Sequence, residues 1–230
     1  MRGFRPQRSQ PATELSTAAR VHAELRRRII HGELPAGTAL SENGLAAEFE
    51  VSRTPVREVL RELITEGLLE VGARRQNIVT DCPRDRAREI ALMLGALGEL
   101  VAQEAPQVLG AGDSDELHLI LIRTEREIAA GRSHDALDSF DHFLIRLAEL
   151  AGLPIVADTM RRLCAHVRLA QGASALNRDR QRGQVTLLRE LADAIDSGDR
   201  EAARTRMRSV TSASGPHAGD QEECGASESD

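Results

Sequence analysis

Three arginines, Arg53, Arg57 and Arg61, recur every fourth residue, while Val56, Val59, Leu60 and Leu63 sit at offsets 0, 3, 4 and 7. On a helix the two sets fall on different faces, one a buried stripe and the other a row of guanidinium groups. A guanidinium is a planar fork of donors that matches phosphate oxygens and the edge of guanine, so the row suits nucleic-acid chemistry. The same spacing also suits a solvated face paired with Glu58 and Glu62, and spacing alone leaves both readings open. Other chemistry is thin. Ser/His/Asp and Cys/His combinations occur only as scattered residues, with no nucleophile motif, glycine-rich phosphate loop or zinc-hydrolase spacing, so the chain is expected not to be an enzyme. Cys82, Cys164 and Cys224 are odd in number and far apart, which fits a reducing cytoplasm and neither a disulfide framework nor a zinc site.

The elements that would carry the arginine row can be read around it. Ala18 to His31 carries Val21, Leu25 and Ile29 at four-residue spacing and reads as a first helix, ended by Gly32 and a turn at Pro35-Ala36-Gly37. Ser41 can cap a second helix reaching Phe49. After Glu50-Val51, Thr54 is the expected cap of the third helix, with Pro55 at its first position, where a missing N–H is harmless. Leu68 to Val71, a basic turn at Arg74-Arg75, and Asn77 to Thr80 read as a β-hairpin. Two short helices, a turn, an arginine-lined helix and a hairpin wing make a reader of the DNA major groove.

The expected organisation is an arm over residues 1–14, the winged helix-turn-helix over 15–80, a linker over 81–84, a helical domain over 85–210 and an irregular tail over 211–230. The fold class is therefore mostly α, with three helices and a hairpin followed by a bundle of six to seven helices. Breaks at Gly110, Gly131, Gly152, Gly172 and Gly198 punctuate that bundle. Met93, Met160 and Met207 read as core filling, while Gly95 and Gly98 leave close helix packing and ligand access equally open.

Composition agrees. With 230 residues and 41% apolar content, the chain can bury two modest cores. Lysine is absent, so all 30 cationic side chains are arginine, yet the net charge is −6. An acidic chain does not coat nucleic acid indiscriminately; a local basic face is what remains. No apolar run approaches a membrane span, and no membrane partner is expected.

The run Gly32-Glu33-Leu34-Pro35-Ala36-Gly37-Thr38-Ala39-Leu40-Ser41-Glu42, then Leu45-Ala46, then Val51-Ser52-Arg53-Thr54-Pro55-Val56-Arg57-Glu58, then Leu63 and Glu66-Gly67-Leu68, strongly resembles the DNA-binding domain of the GntR family. The resemblance implies a sequence-specific transcriptional regulator in which Arg53, Thr54 and Arg57 contact bases and phosphates, with Ser52 nearby on the backbone; Arg74 and Arg75 are expected to hold the wing on phosphate. Two positions depart from the family's pattern: Asn43 stands where relatives often have arginine, and Gln76 where the wing tip usually has glycine.

Residues 84–210, with Leu147-Ala148-Glu149-Leu150-Ala151-Gly152 and Gly198-Asp199, more loosely resemble the FCD effector domain of the fatty-acid-regulator (FadR-type) branch. Many such domains hold a divalent metal with one Asp and three His, which helps to bind a carboxylate effector. Anchored on Gly152 and Gly198, those slots fall on Phe140, Leu144, Leu188 and Val210, and the slot of a carboxylate-gripping arginine falls near Leu94 or Gly95. Four apolar residues supply no metal donors, so an apolar effector cavity with no metal and no cofactor is expected. The rival is a shifted site using Asp138, His142 and His166.

The expected protein is a cytoplasmic homodimeric repressor. It reads a near-palindromic double-stranded DNA operator, with affinity modulated by a small effector of unknown identity. The competing readings are a helical scaffold whose arginine face meets an acidic protein, and a metal-dependent enzyme built on the bundle.

Overall fold

The computed structural model describes residues 17–73, 75–81, 84–171 and 176–214. The expected arm, Arg74, Cys82, Cys224 and residues 215–230 lie outside the described residues.

The N-terminal unit comprises α1 (Thr17–Ile30), β1 (Ala39–Leu40), α2 (Glu42–Glu48), α3 (Arg53–Thr65), β2 (Leu69–Val71) and β3 (Asn77–Val79). Its core is assembled from the stripes read in the sequence: Val21, Leu25 and Ile29 of α1 meet Val56, Val59, Leu60 and Leu63 of α3, with Leu68 and Leu69 beneath. The strands form an antiparallel sheet in the order β1-β3-β2, with Ala39 opposite Ile78 and Leu69 opposite Val79. Strand β1 is an addition to the expected hairpin. Two residues are too few for any alternation to show, and Leu40 is held there by its burial.

The cap of α3 differs from the expectation. Ser52, in extended conformation, is the N-cap, so Arg53 opens the helix and Pro55 is its third residue. Proline is tolerated there because the first-turn N–H groups have no intrahelical acceptor.

Six helices follow among the described residues: α4 (Arg84–Val108), α5 (Ala111–Ala129), α6 (Ser133–Leu150), α7 (Pro154–Gln171), α8 (Arg178–Asp196) and α9 (Arg200–Ser214). They pack as a ring in the order α4, α9, α8, α5, α6, α7 and back to α4. Phe143, Leu147, Met160, Leu188, Leu191 and Met207 fill the middle. Gly152 and Gly198, at φ +73° and +75°, terminate α6 and α8 in the left-handed conformation that glycine adopts without strain.

Gly95 and Gly98 serve close packing. A Cβ at Gly98 would meet Met207 Cγ and Sδ at 3.0 Å, and one at Gly95 would touch Thr211 at 3.5 Å. That seam buries Thr211, whose hydroxyl donates to Met207 O at 3.1 Å, and α9 consequently continues to Ser214 instead of ending at Val210. Met160 and Met207 are core residues, but Met93 is 48% exposed and faces outward.

The two units are docked. Ala165 of α7 is buried in the N-terminal core, the His166 ring lies under Gly67, and the rings of His31 (just after α1) and His134 (α6) stack at 3.7 Å. Burial is the first cause that holds His31 down to a pKa of about 4, with His134 and Arg27 adding to it, so the stacked ring is neutral at physiological pH.

Candidate nucleic-acid interface

Helix α3 presents Arg53, Arg57 and Arg61 on its exposed face, at one side of an open groove of about 970 Å³. The opposite wall is the wing, with Arg75, Gln76 and Asn77, and the end of the groove is Ser41, Glu42 and Asn43 at the start of α2. The structure thus brings Arg53, Arg57 and Arg75 to one concave surface together with both departures from the family's pattern, Asn43 and Gln76. Ser52 and Thr54 are exposed at the N-terminus of α3, where free backbone N–H groups favour a phosphate.

The wing turn closes with Arg75 N donating to Gly72 O and Gly72 N donating to Gln76 O, both at 2.9 Å. Arg75 itself takes the left-handed backbone, φ +56°. That conformation is strained for a residue with a Cβ, and Arg75 stands exposed at the turn of the wing, lining the groove.

Glu42 is the residue that sequence reasoning passed over. Ser41 caps α2 by accepting from Gly44 N at 3.3 Å, which sets Glu42 in the first turn facing α3. Its carboxylate accepts from Arg57 Nη2 at 3.1 Å and Nε at 3.3 Å, and from Arg53 Nη2 at 3.4 Å. The Arg57 bond, with Arg53 behind it, holds the Glu42 carboxyl below its ordinary pKa. The partner of Arg53 and Arg57 is therefore Glu42, and not Glu58 or Glu62 within α3. The signal was present in the sequence as an acid immediately after a helix cap. Glu42 fans two guanidiniums over the groove, yet both stay half exposed and so remain available to a ligand.

In the bundle, Phe140 and Leu144 (α6), Leu188 (α8) and Val210 (α9) line one cavity, joined by Leu94 of α4. Its volume is about 10 Å³, room for roughly one water. Its polar wall was not anticipated. Arg168 is 5% exposed; its Nη2 and Nε donate to Asp141 at 2.8 and 3.3 Å, and Nη1 donates to Gln171 Oε1 at 2.9 Å. Burial works against the Arg168 charge, and Asp141 more than offsets it. Burial, then Asp141, pushes the Cys164 thiol well up, so it stays protonated.

These residues do not fit a divalent metal: the one carboxylate is committed to a guanidinium, and that guanidinium repels a cation. Asp138 and His142 are exposed on α6, whereas His166 lies against Gly67. No cluster of three or more His, Cys, Asp or Glu side chains able to hold a metal occurs among the described residues.

Residues 17–77 match the family described as bacterial regulatory proteins, gntR family, and residues 89–213 match the FCD domain. The chain belongs to the GntR family. A Streptomyces ambofaciens HTH-type transcriptional regulator from an unstable DNA locus is 34% identical to this GntR protein over 82% of this chain and 79% of its own length. The gluconate operon transcriptional repressor of Bacillus licheniformis is 55% identical over 56 residues, which span 24% of this chain and 23% of the repressor. Among solved structures, E. coli McbR/YncC superposes with a TM-score of 0.75 at 21% identity, covering 86% of this chain and 95% of that one; the shared feature is the fold. This GntR protein is a DNA-binding transcriptional regulator with an FCD effector domain, and not an enzyme. No described helix is long and apolar enough to cross a membrane.

Proposed function

We propose that this protein is a cytoplasmic homodimeric repressor of a near-palindromic operator. The observation that carries this reading is the row of Arg53, Arg57 and Arg61 lining a groove whose far wall is the Arg75 wing, with Arg53 and Arg57 half exposed. Arg53 and Arg57 read base edges and phosphate, Ser52 and Thr54 meet the backbone, and Arg75, with Arg74, grips phosphate across the wing. One such head reads too few base pairs for operator-grade specificity, which is the reason for two. Relatives named as repressors support the negative sign of regulation.

Helix α7 supports a route from effector to DNA. One of its faces lends Cys164, Val167 and Arg168 to the cavity, and the other lends Ala165 and His166 to the head. At about 10 Å³ the cavity admits an effector only by opening, and moving α7 carries the head with it. The effector then favours whichever head placement goes with an open bundle, which is coupling by differential affinity.

The test is selection of duplex DNA from a randomised pool, followed by binding titrations across salt concentration. A two-fold symmetric site should emerge. Arg75→Ala should weaken all sequences about equally and lower the salt slope by about one unit per half-site. Binding with no sequence preference, or an unchanged slope, would refute the reading. The cavity carries a separate expectation. Protein purified without chelator should hold no stoichiometric zinc, nickel or manganese, and an apolar or amphipathic ligand should raise the melting temperature. One metal per chain, lost on replacing His142 or His166, would place the effector chemistry elsewhere.

A further inference from the structure

The cavity of the bundle sets two opposite charges side by side in a largely apolar wall. Arg168 of α7 and Asp141 of α6 both line it, with side chains 5% and 11% exposed, and Phe140, Leu144, Leu188 and Val210 supply apolar lining. A core gains little from such a pair, since apolar residues of similar volume hold it as well or better. A ligand entering this cavity gains much from it, because both charges are already stripped of water.

The charge of that ligand follows from balance. The pair sums to zero, and Cys164 beside it stays a neutral thiol. A simple carboxylate drawn to Arg168 would set its negative charge beside Asp141 with no cation of its own. A simple amine drawn to Asp141 would do the reverse against Arg168. Either leaves one uncompensated charge in a buried site, which is strongly unfavourable. A ligand carrying both charges escapes this, with its carboxylate on Arg168, its ammonium on Asp141 and the sum still zero. The donors allow it. Arg168 uses Nη2 and Nε on Asp141, and Nη1 on the neutral Gln171 amide oxygen. A carboxylate can replace that amide, because a charge-assisted bond is roughly twice as strong. The two charges on the wall touch at 2.8 Å, so those of the ligand must be equally close, as they are when both groups stand on one carbon.

We propose that this cavity takes a zwitterion, an α-amino acid with an apolar side chain. Its carboxylate lies on Arg168, its ammonium on Asp141 and its side chain among Phe140, Leu144, Leu188 and Val210. The proposal rests on the effector-cavity reading above and gives that effector its chemical class. At about 10 Å³ the cavity is nearly closed, so the amino acid enters as the bundle opens.

The test is calorimetric titration and melting of the full chain with L-valine, L-leucine and L-phenylalanine. Saturable binding and a raised melting temperature are expected. Leucine without its amine, isocaproate, and leucine without its carboxylate, isoamylamine, should each bind at least about tenfold more weakly, the loss of one charge-assisted bond. ε-Aminocaproate, with its charges at opposite ends, and L-serine, with no apolar side chain, should both fail. Asp141→Asn makes the site net positive and should lower the preference for leucine over isocaproate by about tenfold or more. Should that variant not fold, the ligand series on wild type still decides. Isocaproate binding as tightly as leucine would overturn the zwitterion and leave the effector cavity standing. Leucine binding with a preference unchanged in Asp141→Asn would overturn this seat for it. If isoamyl alcohol raises the melting temperature and no amino acid does, the zwitterion falls alone. If none of these compounds does, the cavity reading falls with it.

Discussion

Arg53→Ala and Arg57→Ala are each expected to weaken operator binding by about 1–3 kcal/mol per half-site, the range for losing a bidentate base contact. Each substitution is present twice in a dimer, so the loss is about 2–6 kcal/mol, or roughly 30-fold to 10⁴-fold in affinity. If the contact is to a base, discrimination should relax at one symmetric pair of operator positions while binding to random DNA changes little. Glu42 adds a sharper arm. In the free protein it accepts from both arginines, so it orients them and also competes with DNA for them. Glu42→Gln should raise affinity for random DNA, by removing a negative charge from the groove, and lower the ratio of specific to random binding, by loosening the two forks. Fluorescence anisotropy with operator and scrambled duplexes at one salt concentration reads both terms. Unchanged operator affinity in Arg53→Ala and Arg57→Ala would mean that another surface reads the DNA.

How much of this was legible before the structure depended on where the deciding force lay. The head was legible because its forces are local: the Val56, Val59, Leu60 and Leu63 stripe, the proline at the start of α3 and the basic hairpin turn all act within a few residues. The cap slipped from Ser52 to Thr54 because serine, threonine and an early proline all satisfy a first turn, and only tertiary placement chooses among them. Strand β1 and the last turn of α9 escaped for a different reason. Each exists through what packs on it, Leu40 within the N-terminal core and Thr211 against Gly95 and Gly98, and neither has a periodicity of its own. Met93 shows the same limit from the other side, since an apolar residue in a helix can face a neighbour in the same chain or none. The bundle slots could be placed because Gly152 and Gly198 mark helix ends by backbone necessity. Arg168 and Asp141 were readable and were missed. Arg168 continues the stripe Ala157, Met160, Cys164 of α7, and Asp141 sits four residues after Leu137 on that of α6. A charge on a buried stripe must meet its opposite, and among the described residues Arg168 and Asp141 met that condition on facing helices.

Removing one of those charges is expected to be among the most destabilising single changes in the bundle. The Arg168 and Asp141 side chains are 5% and 11% exposed, so each has given up most of its hydration to face the other. Pairing offsets that desolvation only while both partners are present. Asp141→Ala leaves the Arg168 guanidinium on Gln171 Oε1 and the Leu137 carbonyl alone, and breaking a buried pair this way costs about 3–5 kcal/mol. Against a total stability of about 5–15 kcal/mol for a domain, that is a fifth or more of the margin. Asp141→Asn should cost less, because the amide oxygen still accepts from Nη2. The double change Asp141→Leu/Arg168→Met should recover most of the loss, since removing both charges removes the desolvation penalty with them. Urea denaturation followed by circular dichroism gives all three values. A small carboxylate such as acetate should raise the melting temperature of Asp141→Ala, by re-entering the seat that Asp141 vacated, and leave wild type unmoved. A loss under about 1 kcal/mol in Asp141→Ala would mean that water reaches the guanidinium, and the cavity would then be wetter and more open than its lining of Phe140, Leu144, Leu188 and Val210 implies.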